Sequence, residues 1–565
     1  MKLDIKRTIK KETNITTIVD YLLQDRKIPD IKSFINPQLP ENIHLSSFFK
    51  NSKEYQSSFG KIIKLLKEIQ KKEKTIVVYT DYDADGITGG AILWETLHLL
   101  GFKVMPYVPD RKTEGYGFSK KGIDNIKKQF DPALIISVDH GIVAHEQIAY
   151  AKSIGMPVIV TDHHQKLDKK HDDALAVFHT DKLSGSGVAY FFSKEIFNKL
   201  KQFNHRTIEQ LNNNFLTDYL GLASIGTIAD LVPLVGPSRS IVKYGLEQLS
   251  KTKRLGISHL LKETKIDGKD LSPYEVGFII APRINAFGRL THAIDALRLL
   301  CTVNVEKAVA LAKKAGETNK QRQELVTEAI KEAEKMVSST SLGASNQKLI
   351  ILYSDHWEEG IIGLIASKIV EKFYRPAVIM TKSDGFYKGS ARSISGFDIT
   401  AFLRSLSKYL VDIGGHQAAA GFTIKESDIE IFIKEAQKKA KKHISNNDLI
   451  PRLEVDMELL LQQTSLKLVQ ELQRLEPFGV GNRRPLFYSI GQISDARLFG
   501  SKSNHLKLQI KSNDSSPLEI IFFNQGDRFS ELSIDKKIGI VYSLEIDSWD
   551  GRMKVRGMGK YIQLL

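Results

Sequence analysis

The chain has 565 residues, 42% hydrophobic and 26% charged, the composition of an ordinary soluble globular protein, too long for one core and expected to form three to four domains. No apolar run approaches the roughly 18 residues that span a bilayer, and residues 1–13 are basic without the apolar stretch of a signal peptide. The lone Cys301 excludes a disulfide framework or multi-cysteine zinc site, which suits a cytoplasmic protein, while 81 Lys plus Arg against 66 Asp plus Glu favours a polyanionic partner, nucleic acid above all.

Residues 1–60 read as an accessory segment with short helices at 18–23 and 28–35, the second broken by Asn36-Pro37. A Lys-rich amphipathic helix at 59–74 leads into the β-branched run 77–80, which ends in Asp81, Asp83 and Asp85 followed by Gly86. If the extended conformation continues, these carboxylates share one face and repel unless a cation sits among them. The plainer alternative is an Asp-rich turn. Helices at 87–100, 118–130 and 144–154 then alternate with strands at 103–108, 133–138 and 157–160. This alternation predicts a doubly wound parallel sheet, in which ligands bind outside the carboxyl ends of the strands. Asp139 and the trio Asp162, His163 and His164 fall at that same edge.

One Asp after a strand is ordinarily a helix cap, and one His pair is ordinarily a surface or core feature. Three clusters at one edge are better explained as a ligand set. Carboxylates with imidazole and no thiolate suit Mn²⁺ or Mg²⁺, and five or six such ligands suit two ions about 3.5–4 Å apart, as in phosphoester hydrolysis.

Asp81-Tyr82-Asp83-Ala84-Asp85-Gly86, Val138-Asp139-His140-Gly141 and Asp162-His163-His164 resemble three motifs of the DHH phosphoesterases, and their form and spacing are similar to the RecJ family. The likeness extends to 107–111 and 114–117, which carry Arg111 and Tyr116, to 183–188, and to 222–230, which ends in Asp230. His140 stands where the family usually has Asn, leaving open whether it adds a ligand, contacts phosphate or does neither.

Further along, Arg283 and Arg289 lie in a loop-like stretch, 281–290, with two helix breakers. A long amphipathic helix at 305–337 matches the family's connecting helix. Trp357 is followed by Glu358 where the family usually has His. Gly389-Ser390-Ala391-Arg392 and Gly414-Gly415-His416 resemble its substrate-binding domain. From about residue 453, alternating strands with interleaved basic residues suit a small barrel of the OB type.

The resemblance implies an α/β protein in five parts. These are an accessory segment (1–60), a parallel-sheet DHH domain (61–300), a connecting helix (301–340), a second α/β DHH-associated domain (341–450) and an OB-like β-barrel (451–565). It implies a 5′→3′ exonuclease for single-stranded DNA, acting in repair and recombination with two divalent cations, Mn²⁺ or Mg²⁺. Asp83, Asp85, Asp139, His163 and Asp230 would be ligands, Asp81 and Asp162 ligands or supports, and His164 a neutraliser of phosphoryl charge. Arg111, Tyr116, Arg283, Arg289, Ser390, Arg392, Gly415 and His416 would meet substrate. A monomer working near a single-strand-binding protein and a helicase is implied too. Two rivals are a DHH phosphodiesterase for very short RNA or cyclic dinucleotides, which needs neither tail nor connecting helix, and a non-catalytic scaffold, which would have lost carboxylates.

Overall fold

The computed structural model describes residues 1–9, 13–115, 117–166, 171–200, 205–339, 347–512, 516–548 and 552–565. They form two compact units, His44–Asp230 with Glu247–Pro451, and Met1–Ile43 with Leu231–Leu246 and Arg452–Leu565.

In the first of these units, short and mostly apolar runs become strands, as a parallel sheet covered on both faces demands. The strands are β1 (Ile76–Thr80), β2 (Val104–Tyr107), β3 (Leu134–Val138), β4 (Val158–Asp162) and β5 (Ala176–His179). All pair in parallel, in the order β2-β1-β3-β4-β5. On one face Val77, Tyr79, Ile135 and Val160 pack with Ile123 and Ile148 from the helices Lys120–Phe130 and His145–Ser153. The helices Ala84–Leu99, Gly185–Lys199 and Asp218–Ala229 pack against one another. The strand order switches direction between β1 and β3, so the crevice that such sheets open at their carboxyl ends lies just beyond Thr80 and Val138.

The helix Val305–Ser339 has 35 residues and is about 52 Å long at 1.5 Å per residue. Its Ala329, Ala333 and Val337 pack against Ile362, Ile365 and Ile369 of the helix Ile362–Phe373. That helix lies on a second sheet of β6 (Ile350–Tyr353), β7 (Ala377–Ser383), β8 (Phe386–Arg392), β9 (Asp412–His416) and β10 (Ala419–Lys425). The order is β9-β10-β8-β7-β6, parallel between β6 and β7 and antiparallel elsewhere.

One local expectation is corrected: 281–290 is not a loop but the helix Ala281–Leu290. Pro282 lies in its first turn, where a missing N–H is no loss. The preceding Pro273–Glu275 and the π-helical Val276–Ile280 make a continuous helical rod with it.

The other unit centres on a closed barrel of β11 (Phe487–Phe499), β12 (His505–Lys511), β13 (Leu518–Phe522), β14 (Lys537–Asp547) and β15 (Lys554–Leu564). The order is β11-β12-β13-β15-β14, and β14 closes on β11. Strict alternation in β12 puts Leu506, Leu508 and Ile510 inside. The strand Lys2–Ile5 pairs in parallel with Arg452–Val455, and Ile18 and Leu22 of the helix Ile15–Asp25 share a core with Leu468 and Leu472. Among the described residues no helix is long and apolar enough to cross a membrane.

Candidate active site and metal centre

Extended backbone stops at Thr80, so Asp81, Asp83 and Asp85 do not alternate along a strand as expected. Asp83 is instead the N-cap of the helix Ala84–Leu99, its Oδ1 accepting from the amides of Asp85 and Gly86, both at 3.0 Å. Capping satisfies helix donors and turns the chain sharply, which brings the three carboxylates to one place by a different route. Asp85 sits in the first helical turn and accepts from the amides of Gly185 (2.7 Å) and Ser186 (2.9 Å) at the start of another helix. Gly185 is required there, because a Cβ would overlap the Asp139 carboxylate. Asp139 follows β3 in left-handed backbone, φ 68°, a conformation Asp tolerates better than most residues. Asp230 caps the end of the helix Asp218–Ala229.

These turns bring carboxylates and imidazoles into three overlapping groups whose ligand atoms lie within 4.8 Å of one another: Asp81, Asp83 and Asp139; Asp85, His163 and Asp230; and Asp139, His163 and His164. His163 Nε2 is 3.2 Å from Asp139 Oδ1, 3.3 Å from Asp230 Oδ2 and 3.8 Å from Asp85 Oδ2. Despite these distances, Asp81 Oδ1, Asp139 Oδ1 and His163 Nε2 are buried without a hydrogen-bond partner. Three buried acceptors facing one another with no donor are costly for a protein alone. They fit a divalent cation.

Electrostatics agree. Burial first, and then neighbouring carboxylates, push the Asp81, Asp83 and Asp139 carboxyls above their ordinary range, and Asp230 up to about 8. Burial also lowers His163, keeping its imidazole neutral. His164 behaves oppositely. Burial disfavours its charge, but the Asp162 carboxylate, 2.8 Å from its Nδ1, outweighs that and raises it to about 9. Asp162 accepts from the amides of Ile142, His163 and His164, bonds which with the His164 ring outweigh its burial and hold it well below the carboxylate range. Asp162 belongs to none of the three ligand groups; it bonds the His164 ring and the backbone amides of both histidines.

Facing the acidic cluster across a cleft of about 730 Å³ is a cationic wall. Arg111, Arg289, Ser390 and Arg392 line it together with Lys388, Asn285, Asp81 and Asp83. Arg392 Nη1 donates to Ser390 Oγ (3.1 Å) and the Ala391 carbonyl (2.9 Å), and Arg289 Nη1 donates to the Gly360 carbonyl (2.9 Å). Arg111 stacks over the Tyr82 ring at 5.0 Å. Gly415 sits on the β9–β10 hairpin at φ 145°, and the adjacent His416 ring stacks on His164 with centroids 6.3 Å apart.

Some residues land elsewhere. Arg283 turns away from the cleft, its Nε donating to Glu263 (2.8 Å) and its Nη1 to the Ile279 carbonyl (3.0 Å). Tyr116 lies outside the described residues. His140 is packed edge-on against Tyr79 and Phe118, bonds the Tyr79 carbonyl through Nε2 (2.9 Å), and is lowered by burial to about 4. It props β1 as a neutral ring. Glu358 pairs with Lys112 at 3.2 Å. Sequence reasoning missed Asn285, whose Oδ1 accepts from the Ala84 amide (2.7 Å), as well as Lys388 and the Ser186 amide that cradles Asp85. Asn285 sat in plain view between the two arginines, masked by the loop reading.

Three family models match: the DHH family N-terminal domain over residues 75–227, the DHHA1 domain over 346–442 and the RecJ OB domain over 455–560. The single-stranded-DNA-specific exonuclease RecJ of Salmonella typhimurium is 30% identical across 88% of this chain and 89% of its own length. The chain belongs to the RecJ family. RecJ of Bacillus subtilis is 34% identical across 88% of this chain, which spans 62% of that longer relative. Among solved structures, RecJ of Thermus thermophilus in complex with Mn²⁺ superposes with a TM-score of 0.80 at 27% identity, covering 100% of this chain and 79% of that one. Its RecJ fold is thus the parallel-sheet DHH domain, the DHHA1 domain and the closed barrel together.

Proposed function

We propose that this chain is a metal-dependent exonuclease that degrades single-stranded DNA from its 5′ end to mononucleotides, in DNA repair and recombination. One observation carries the proposal: three buried atoms without a hydrogen-bond partner, Asp81 Oδ1, Asp139 Oδ1 and His163 Nε2, belong to a cluster whose Asp81 and Asp83 line the same cleft as Arg111, Arg289 and Arg392. RecJ relatives named as single-stranded-DNA-specific exonucleases support the polymer and its strandedness.

Asp85, His163 and Asp230 would hold one divalent cation and Asp81, Asp83 and Asp139 a second, with Asp139 placed to serve both. This reading promotes Asp81 to ligand and leaves Asp162 as the residue that orients His163 and His164. Bound Mn²⁺ or Mg²⁺ supplies Lewis acidity and lowers the pKa of water at the site. The protein does the rest. His164, cationic at neutral pH, offsets charge on the phosphoryl oxygens, and His416 stacks beside it. Ser390 and Arg392 receive the terminal 5′-phosphate, while Arg289 and Arg111 add positive charge to the same wall. Asn285 holds the Ala84 amide, and so the turn between Asp83 and Asp85, in place. A monomer in the cytoplasm, working beside a single-strand-binding protein and a helicase, completes the proposal.

The test offers Mn²⁺-loaded protein equal amounts of long 5′-phosphorylated single-stranded DNA, duplex DNA, RNA and a dinucleotide. Mononucleotide release mainly from single-stranded DNA is the expected result. Preference for the dinucleotide would sink the reading in favour of the small-substrate rival.

A further inference from the structure

The helical rod from Pro273 to Leu290 carries three features in line. At its C-terminal end Arg289 lines the cleft beside Ser390 and Arg392. In its middle Asn285 bonds the Ala84 amide between Asp83 and Asp85. Toward its other end, Tyr274 and Phe278 are 62% and 70% exposed, with ring centroids 5.0 Å apart and 30° between planes. Large aromatic residues this exposed lose apolar contact with nothing gained unless something covers them. Their position is held firmly. Ser272 and Glu275 close a capping box at the start of the rod, and the stretch Val276–Ile280 packs on the helix Asp218–Ala229, whose C-cap is Asp230.

We propose that Tyr274 and Phe278 form a stacking platform for bases of the single strand downstream of the scissile bond. The proposal rests on the exonuclease reading above and deepens it. The rod acts as a ruler. Arg289 on the phosphate wall and Asn285, which holds the turn between Asp83 and Asp85, are four residues apart, about 6 Å of rise, and Phe278 is seven residues further back, about 10 Å. At the roughly 3.4 Å per nucleotide of a stacked strand, that places the aromatic pair about three nucleotides beyond the metal centre, on the side away from the 5′-phosphate wall. Aromatic faces accept any base, so such a platform adds grip without sequence preference. That is the chemistry a processing exonuclease needs. A protein partner is the competing occupant of these rings, but the rod that bears them already lines the nucleic-acid cleft at its other end.

The experiment crosses a protein change with a DNA change. Affinity is measured in the presence of chelator for an intact 5′-phosphorylated single strand and for one with a block of abasic positions starting about three nucleotides from the 5′ end. Wild-type protein is expected to bind the abasic strand about tenfold or more weakly. The Tyr274→Ala/Phe278→Ala double variant is expected to bind the intact strand weakly by a similar factor and to lose little more on the abasic strand, while Phe278→Trp retains wild-type affinity. Equal wild-type affinity for the two strands overturns the proposal, and that arm needs no variant to fold. Independent, additive losses also overturn it, because they show that rings and bases do not meet. If wild-type protein binds no single strand, the exonuclease reading itself fails, an outcome distinct from the other two.

Discussion

Arg239 and Asp139 are both almost wholly buried charged residues, at 0% and 1% exposure, and the protein treats them in opposite ways. Arg239 in the barrel unit spends its guanidinium on four backbone carbonyls, those of Phe34 (2.6 Å), Leu475 (2.9 Å), Glu476 (2.7 Å) and Pro477 (3.2 Å), with the Phe34 ring beneath it at 3.9 Å. It ties the N-terminal segment to the chain before the barrel. Asp139 in the DHH unit faces Asp85, Asp83 and Asp230, and its Oδ1 has no hydrogen-bond partner. A buried charge whose donors are all used is architecture. A cluster of buried charges that leaves acceptors bare is waiting for a ligand, because leaving such atoms unpaired costs about 1–3 kcal/mol each.

The sharpest way to break this contrast is Asp139→Asn. Removing a carboxylate from between the two ligand groups is expected to cut nuclease turnover by about 10³-fold or more, on the order of 4 kcal/mol of barrier. The metal-free variant should melt no lower than wild type, since one source of like-charge repulsion has gone. A clear fall in the melting temperature of the metal-free protein would make Asp139 architecture after all.

Arg239→Met makes the reciprocal case. It strips the donors from four carbonyls and is expected to destabilise the barrel unit by several kcal/mol, since each carbonyl left buried without a donor costs about 1–3 kcal/mol. Hydrogen exchange should rise in Leu475–Asn482, whereas turnover per folded molecule at the DHH centre should hold. Exchange unchanged in that stretch would show that the carbonyls find other partners.

Metal addition gives a graded version of the same comparison. Mn²⁺ at about 100 times its dissociation constant should stabilise the wild-type DHH unit by about 2.7 kcal/mol, read as a shift in thermal unfolding. In Asp139→Asn the shift should shrink sharply, and in Arg239→Met it should persist. Equal shifts in all three proteins would place the cation outside the cluster.

Much of this was legible in the chain because the ligand types fall at strand ends, where topology alone gathers them: Asp81 after β1, Asp139 after β3, Asp162 and His163 at the end of β4. What stayed hidden depends on contacts between residues far apart in sequence. Asp85 is cradled by amides 100 and 101 residues away, and Arg283 is neutralised by Glu263 across a turn between helices. Neither leaves a local signal. The helix at Ala281–Leu290 was masked by Pro282 and Gly288, which read as breakers although Pro is harmless in a first turn. Residues 1–43 belong to one compact unit with Arg452–Leu565 through the pairing of Lys2–Ile5 with Arg452–Val455, a partnership that no periodicity within either segment announces.

Between the two extremes lies the half-exposed pair of Arg7 and Asp25, with side chains 31% and 17% exposed. Arg7 Nε reaches both carboxylate oxygens, at 3.0 and 2.8 Å, and Nη2 adds a third bond at 2.6 Å. The Arg7 hydrogen bonds hold the Asp25 carboxyl below its ordinary range, against a smaller opposing effect of burial. A carboxyl lowered in the folded state binds its proton less tightly there than in the unfolded chain. Its contribution is therefore fully present above the unfolded value of about 3.9 and fades as pH falls through the lower folded value. With water still reaching both groups, Asp25→Asn should cost only about 0.5–1 kcal/mol at neutral pH. The loss should vanish toward pH 2, so that wild-type and variant unfolding curves converge on acidification. Curves that stay parallel over that interval would mean that Arg7 is held by its guanidinium lying over the Tyr21 ring, at 4.4 Å, rather than by the charge of Asp25.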